Sequence, residues 1–450
     1  MSHSLFHSKL NTRSNLLLLV ISVSVMLFTR CSEDDFNPDP DEEEVEEVED
    51  AHEVEEPGEA AFMVAQVDIS TENGAAISSK EDYINCNITI SSDKATWNFL
   101  GTGKIRGRGN STWLWYPKKP YRIKLDESSE ILGMQSNKDW VLLADYRDPT
   151  HLMNTFVFTV GQGLELPDTN NIRYAEVSLN GDYIGLYSIT EQVEEGKNRV
   201  DINSDHGILL SLDADDGPKL SPNATDNFWS PIYQLPVCIK HPDDVSSARM
   251  AQIKSDFAKL ENAIKSADYE RVAQELDIPS FIDFMIIQEL VYNVEVDAPR
   301  SMYMHKDVGG RWIMGPLWDF DAGFDFDWGT MYTGHNYFHT HRELVLGTSP
   351  VHHTGGYHVP SFFTDLFKNK RFLKEYKERW FEVNDKVMSE YWATTQKYAD
   401  GFAEALVRDA ERWPIDKDNQ TEISNMKEWL TMRIDYLTEI IENYPAGTVE

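Results

Sequence analysis

Two segments of this chain gather side chains that could do chemistry on a phosphate. The first runs from Lys104 to Lys124 and holds seven cations (Lys104, Arg106, Arg108, Lys118, Lys119, Arg122 and Lys124) and no anion, in a chain whose net charge is −35. Arginine and lysine suit phosphate oxygens, and the glycines of Arg106-Gly107-Arg108-Gly109 let a backbone approach a ligand closely. A glycine-bearing hairpin whose cations pair with nearby acids accounts for the same residues. A Walker A loop does not, because Gly103-Lys104 is followed by Ile105 rather than Ser or Thr. The second segment, Asn293 to Gly323, orders acids: Glu295 and Asp297, then Asp319 and Asp321 in Trp318-Asp319-Phe320-Asp321. Phosphoryl transfer asks for a carboxylate to orient a hydroxyl, carboxylates on Mg²⁺ and cations on the phosphates. Asp-rich loops are also often plain solvated turns.

The elements that must position these groups are legible in outline. Alternation in Phe62 to Ile69 and in Cys86 to Ile90 predicts strands, and Tyr174 to Leu179, Asn180-Gly181, Asp182 to Ile189 predicts a hairpin with an Asn-Gly turn. Helical spacing marks 150–164, 248–267, 279–291, 361–410 and 424–443. The acidic segment reads as a loop, then a hairpin, then a strand ending at Asp319. The fold class is α+β, with a β-rich part at 60–245, an α-rich part at 246–450, and the ligand site expected between them.

Several short motifs occur together in a known order. Arg106-Gly107-Arg108-Gly109-Asn110-Ser111-Thr112, Pro117-Lys118-Lys119-Pro120-Tyr121-Arg122-Ile123-Lys124-Leu125, Tyr183-Ile184-Gly185-Leu186-Tyr187 with Thr190-Glu191, and Trp318-Asp319-Phe320-Asp321 resemble the signature of the spore coat protein H (CotH) family of atypical, protein-kinase-like phosphotransferases. The resemblance spans about 100–385. It implies a two-lobed kinase-like fold with ATP and Mg²⁺ as cofactors, and protein hydroxyls as acceptors. Carried over by position, it makes Lys124 the lysine on the nucleotide phosphates with Lys119 and Arg108 in support, and Asp319 the metal ligand with Asp321 on a second ion. It sets Glu191 toward the adenine. Asp297 matches the catalytic aspartate, with Glu295 as the alternative. The family often has Asn a few residues after that aspartate, where Ser301 stands here. A hydroxyl is a poorer Mg²⁺ ligand than an amide, so a degenerate surface protein that binds a protein or glycan partner is the rival reading.

The N-terminus reads as an export signal over 1–30, with Lys9 and Arg13 before the thirteen-residue apolar run Leu16 to Phe28. Cys31 directly follows, where bacterial lipoproteins are cleaved and acylated, and Ser32-Glu33-Asp34-Asp35 resembles the acidic tag of Bacteroidetes surface lipoproteins. Arg30 is an unusual residue in front of such a cysteine. Residues 31–59 hold sixteen Asp and Glu and no Lys or Arg, the composition of a solvated tether. A lipid-anchored protein of the cell envelope, exposed at the outer membrane surface, is expected. The acidic balance argues against nucleic acid as a partner. Cys86 and Cys238 are too few and too far apart for a metal knuckle, and an oxidising compartment would allow them to pair. His335, His339, His341, His352, His353 and His358 crowd one segment without a tight helical ligand pair, which predicts a loop rather than a metal centre. His305-Lys306-Asp307 lacks the spacing of a phospholipase motif, and the Trp residues read as packing.

Overall fold

Alternating burial builds the first half of the molecule. In β1 (Val64–Thr71) Ala65, Val67, Ile69 and Thr71 face inward, and in β2 (Ile84–Ser91) Cys86, Ile88 and Ile90 do. The computed structural model describes residues 58–218, 221–296, 298–326, 341–346 and 361–450; Cys31, the export signal and nearly all of the acidic tether lie outside them. With β3 (Phe99–Gly107), β4 (Tyr121–Ile131), β5 (Met134–Leu143), β6 (Ile172–Leu179) and β7 (Asp182–Glu191) the strands close into a barrel in the order β1-β2-β3-β4-β5-β7-β6. Closure comes from parallel pairing of β1 with β6, Val67 opposite Val177. The inward side chains, among them Ile105, Ile123, Trp140 and Tyr187, fill the interior as one apolar cluster. Asn180 and Gly181 both take positive φ (54° and 81°), so the predicted turn joins β6 to β7 with the twist a two-residue hairpin needs.

Two helices interrupt the barrel strands. The five-residue α1 (Ser111–Trp115) bridges β3 and β4, and α2 (Met153–Gly163), almost wholly buried, leads from β5 to β6. After the barrel comes a second sheet from β8 (Ile208–Leu212), β9 (Asn227–Trp229), β10 (Pro236–His241), β11 (Met302–Lys306) and β12 (Ile313–Met314), in the order β12-β11-β8-β10-β9. β8 pairs with both β10 and β11, so this sheet joins strands on either side of residue 245.

Helices α3 (Ser247–Ser266), α4 (Tyr269–Glu275) and α5 (Ile278–Leu290) connect its two halves. Each begins at a side-chain cap, from Ser246, Asp268 and Asp277 respectively. The short α6 (Ser361–Thr364) precedes α7 (Lys370–Lys386), which runs through a π-helical segment at Val387–Trp392 into α8 (Ala393–Arg412), and α9 (Asn419–Glu442) closes the chain. α8 packs on β7 of the barrel, and the described residues belong to one compact unit of α+β class. Cys86 and Cys238 are both buried and unpaired; burial is the main cause that pushes their thiols up to about 11 and about 12.

Candidate active site

Cations line the outside of the barrel because of strand alternation. In β3 Gly103, Ile105 and Gly107 are buried, so Lys104 and Arg106 face outward, and in β4 Arg122 and Lys124 alternate with Tyr121, Ile123 and Leu125. The register sets Lys104 directly opposite Lys124 and Arg106 opposite Arg122. Like charges facing across strands repel. Relief comes from Asp139 on β5, which takes Arg122 at 2.7 Å and Lys124 at 3.2 Å, from Glu194 on Arg122 at 3.2 Å, and from the Tyr83 ring 5.0 Å from both Lys104 and Arg106. Lys124 keeps 43% of its side chain exposed. Arg108, one residue beyond β3, stacks over Trp318 at 5.2 Å; burial lowers its pKa, Asp319 opposes that, and Arg122 and Arg106 lower it further. The barrel's row of cations therefore ends beside the Trp318-Asp319-Phe320-Asp321 loop.

The acids of that loop are gathered by contacts from distant parts of the chain. Asn154 of α2 accepts from the Phe320 N–H at 2.9 Å, and the Val294 N–H donates to the Ala322 carbonyl at 3.3 Å, which ties the Glu295 turn to the loop. Asp319 has left-handed backbone (φ 64°) and faces Ser301 (φ 52°), whose hydroxyl donates to Asp319 Oδ2 at 3.4 Å. Such conformations in non-glycine residues cluster where surroundings over-determine them. Here Asp213, at the end of β8, accepts from the Ser301 N–H at 3.3 Å and from the N–H groups of Asp215 and Asp216. Asp321 forms an ion pair with buried Arg147, whose guanidinium also stacks on Phe326 at 4.6 Å, and Arg300 pairs with Asp215 at 3.0 Å.

Burial, then Asp321, raises the Asp319 carboxyl to about 6, against the pull of Arg147 and Arg108. Glu295 is buried and its Oε2 has no hydrogen-bond partner among the described residues. Burial and then Asp319 push its pKa well above the usual carboxylate range, although Arg147 and Arg300 oppose them. Arg147 itself is held charged: burial disfavours its cation, but Asp321, Glu295 and Asp319 together override it.

Of the residues the sequence singled out, Arg108, Asp319, Asp321, Glu295 and Ser301 come together. Asp297 lies outside the described residues, as do all the crowded histidines except His341. Lys119 is turned toward α1, donating to the Trp113 carbonyl at 2.5 Å. Glu191 commits both carboxylate oxygens to Asn171, accepting from its N–H at 2.8 Å and its side-chain amide at 3.0 Å. Lys118 is fully buried on Asp409 at 2.8 Å and belongs to a different cluster. The glycines expected to admit a ligand are otherwise occupied: the Trp113 ring fills the space a Cβ would take at Gly107, and the Thr112 hydroxyl does so at Gly109. Sequence reading missed Arg147 and Asp213, since a lone Arg or Asp in a loop carries no spacing signal.

The acids fit a cation–nucleotide ligand in one respect that can be tested on the protein alone. Glu295 and Asp319 form a buried acidic pair beside Arg147 and Arg300, each of which also pairs with another acid, and beside Arg108. Among the described residues no group of three or more His, Cys, Asp or Glu is arranged to hold a metal by itself. A cation here would need oxygens from its substrate too, which is how Mg²⁺ is commonly held beside phosphates. No curated protein matches the chain. The model of the family described as CotH kinase protein matches residues 105–437, from the cationic strands through the acidic loop to α9. That span is well over half of the 450 residues, and the chain belongs to the CotH kinase protein family.

Proposed function

We propose that this protein is an ATP- and Mg²⁺-dependent phosphotransferase of the atypical kinase type that acts on protein hydroxyls, with the barrel and the helical part as its two lobes. The observation that carries this reading is the junction of the outward cation row, ending at Arg108, with the buried acids Asp319 and Glu295. When bound, Mg²⁺ and ATP supply the phosphoryl group and much of its charge balance. The chain's own residues do the rest. Lys124, half exposed at the far end of the row, and Arg108 hold phosphate oxygens. Asp319 holds the cation, with Asp321 beside it on Arg147 for a second ion. Asp297, or Glu295 in its stead, orients the acceptor hydroxyl and takes its proton. Lys119 and Glu191 have weaker claims, since both are committed to protein partners.

Anchoring through a lipid on Cys31 at the outer membrane surface completes the proposal. Among the described residues no helix is long and apolar enough to cross a membrane. The second reading, a surface protein that binds a partner on a scaffold without turnover, draws support from Ser301, whose hydroxyl sits against Asp319 where an amide would be the better Mg²⁺ ligand. Titration of the full chain with ATP, with and without Mg²⁺, followed by phosphate transfer to itself and to envelope proteins, separates the two. Mg²⁺-dependent binding with transfer supports the enzyme, binding without transfer supports the scaffold, and no binding removes the kinase reading.

A further inference from the structure

The Glu295 side chain is set in the floor of the site by a short 3-10 turn, Val294–Val296, whose backbone is fastened to the acidic loop at Ala322 and to Asn293. Its residue is 5% exposed and one carboxylate oxygen meets no donor among the described residues. An unpartnered buried carboxylate oxygen is costly, and native structures keep few without a reason. Among the described residues the charged groups that act on it are led by the carboxylates of Asp319 and Asp321 and the guanidinium groups of Arg147 and Arg300. Both arginines already serve other acids, Arg147 on Asp321 and Arg300 on Asp215. Among the described residues the hydrogen bond that Asp319 receives is a long one from Ser301, with Arg108 and Arg147 acting on it by charge. Among the described residues the carboxylates of this cluster outnumber its guanidinium groups, Arg108 beside Asp319 included, and the shortfall falls on Glu295 and Asp319.

We propose that Glu295 is a ligand of the divalent cation, sharing it with Asp319, and that it is not the residue that takes the acceptor's proton. This rests on the phosphotransferase reading. A base has to meet a hydroxyl arriving from solvent with the acceptor protein, whereas Glu295 faces inward among fixed charges. A cation seated between the two carboxylates would satisfy the orphaned oxygen and supply the missing charge. It would also leave the Arg147–Asp321 pair to brace the loop from behind.

The test uses the full chain and Mn²⁺ as the probe, with free Mn²⁺ followed by electron paramagnetic resonance at saturating ATP. Glu295→Gln, close in shape, is expected to weaken Mn²⁺ binding by at least about tenfold. Metal-free melting should be unchanged or higher, because a buried unpartnered charge is gone. Asp321→Asn is expected to lower the metal-free melting temperature, because buried Arg147 loses its partner. Wild-type Mn²⁺ affinity in Glu295→Gln overturns the inference. So does a melting loss in Glu295→Gln as large as that of Asp321→Asn, which would make Glu295 a structural residue. If the unaltered protein binds neither ATP nor Mn²⁺ with ATP, the phosphotransferase reading falls, and this inference with it.

Discussion

Lys124 and Asp297 divide the work of the proposed reaction between binding and chemistry. Lys124 would meet phosphate charge in the ground and transition states alike, so Lys124→Ala is expected to weaken ATP binding about tenfold, with a matching loss in transfer. Asp297→Asn is expected to leave ATP affinity within about threefold and to slow transfer by ~10²-fold or more, the scale of losing a positioned base. Calorimetric titration and transfer of labelled phosphate read the two separately, and equal defects in both assays for both variants would refute the division. Arg147 has a different part. Arg147→Met would leave Asp321, Asp319 and Glu295 together without their nearest buried cation, and about 3–5 kcal/mol of stability should go, as when a buried pair loses one partner. An unchanged urea midpoint would count against that. The difference between these residues also explains what the sequence disclosed. Lys124, Arg108 and Asp319 stand in contiguous motifs whose charge pattern is visible in a window of twenty residues. Arg147 reaches Asp321 across 174 positions and Asp213 reaches Ser301 across 88, and such pairs exist only once the chain is folded.

Between elements, the junction of β7 with α8 depends on a buried polar cluster with no part in the proposed chemistry. Lys118 donates to the Leu186 carbonyl at 2.6 Å and pairs with Asp409 of α8, which also accepts from the Leu186 N–H at 2.8 Å. Gly185 makes room for this: its φ is 118°, and a Cβ would collide with Asp409 Oδ1. Gly185→Ala is therefore expected to destabilise the fold by roughly 2–4 kcal/mol, measured by urea unfolding. Beside it, His151 lies 3.6 Å from Asp409 and 4.0 Å from Asp145, and Asp145 accepts from the Ser188 hydroxyl. Burial raises the Asp145 carboxyl to about 8, with Asp148 and Asp321 adding and Ser188 and Lys118 opposing. A folded pKa above the ordinary carboxylate value means the folded state holds the proton more tightly, so stability falls from about pH 4 to about pH 8. Burial lowers His151 to about 3, which has the opposite sign and makes stability rise from about pH 3 to about pH 6.5. Asp148, raised to about 6 by burial, adds to the fall only below that pH. Above about pH 6.5 Asp145 acts alone among these three. Melting temperature should decline from pH 6.5 to 8, and Asp145→Asn should flatten that decline; parallel curves for the two proteins would refute it. Most elements in this junction were legible from periodicity, including the β6–β7 hairpin and the long C-terminal helices. The closure of the barrel was not, because parallel pairing of β1 with β6 links segments a hundred residues apart without a turn between them. Nor was the second sheet, whose short buried strands β8 and β10 show apolar runs rather than alternation.

For the molecule as a whole, charge and anchoring have to be reconciled. The chain carries a net −35, and sixteen of its acids lie in the tether between Cys31 and residue 59. A protein of this charge is repelled by anionic lipid headgroups, so electrostatic adsorption cannot hold it to a membrane. No described helix is long and apolar enough to cross one. Membrane association, as proposed, then falls to acyl chains on Cys31, whose hold comes from buried methylene groups and is indifferent to salt. Three outcomes follow for cell fractionation. The unaltered protein should stay with membranes in high salt, leave them in detergent, and be labelled by a lipid precursor. Cys31→Ala should appear in the soluble or periplasmic fraction, unlabelled, and should bind Mg²⁺ and ATP as the unaltered protein does, because its site is built wholly from residues beyond the tether. Membrane retention of Cys31→Ala in high salt would show that something other than a lipid holds the protein, and the anchoring proposal would fall while the phosphotransferase reading stood.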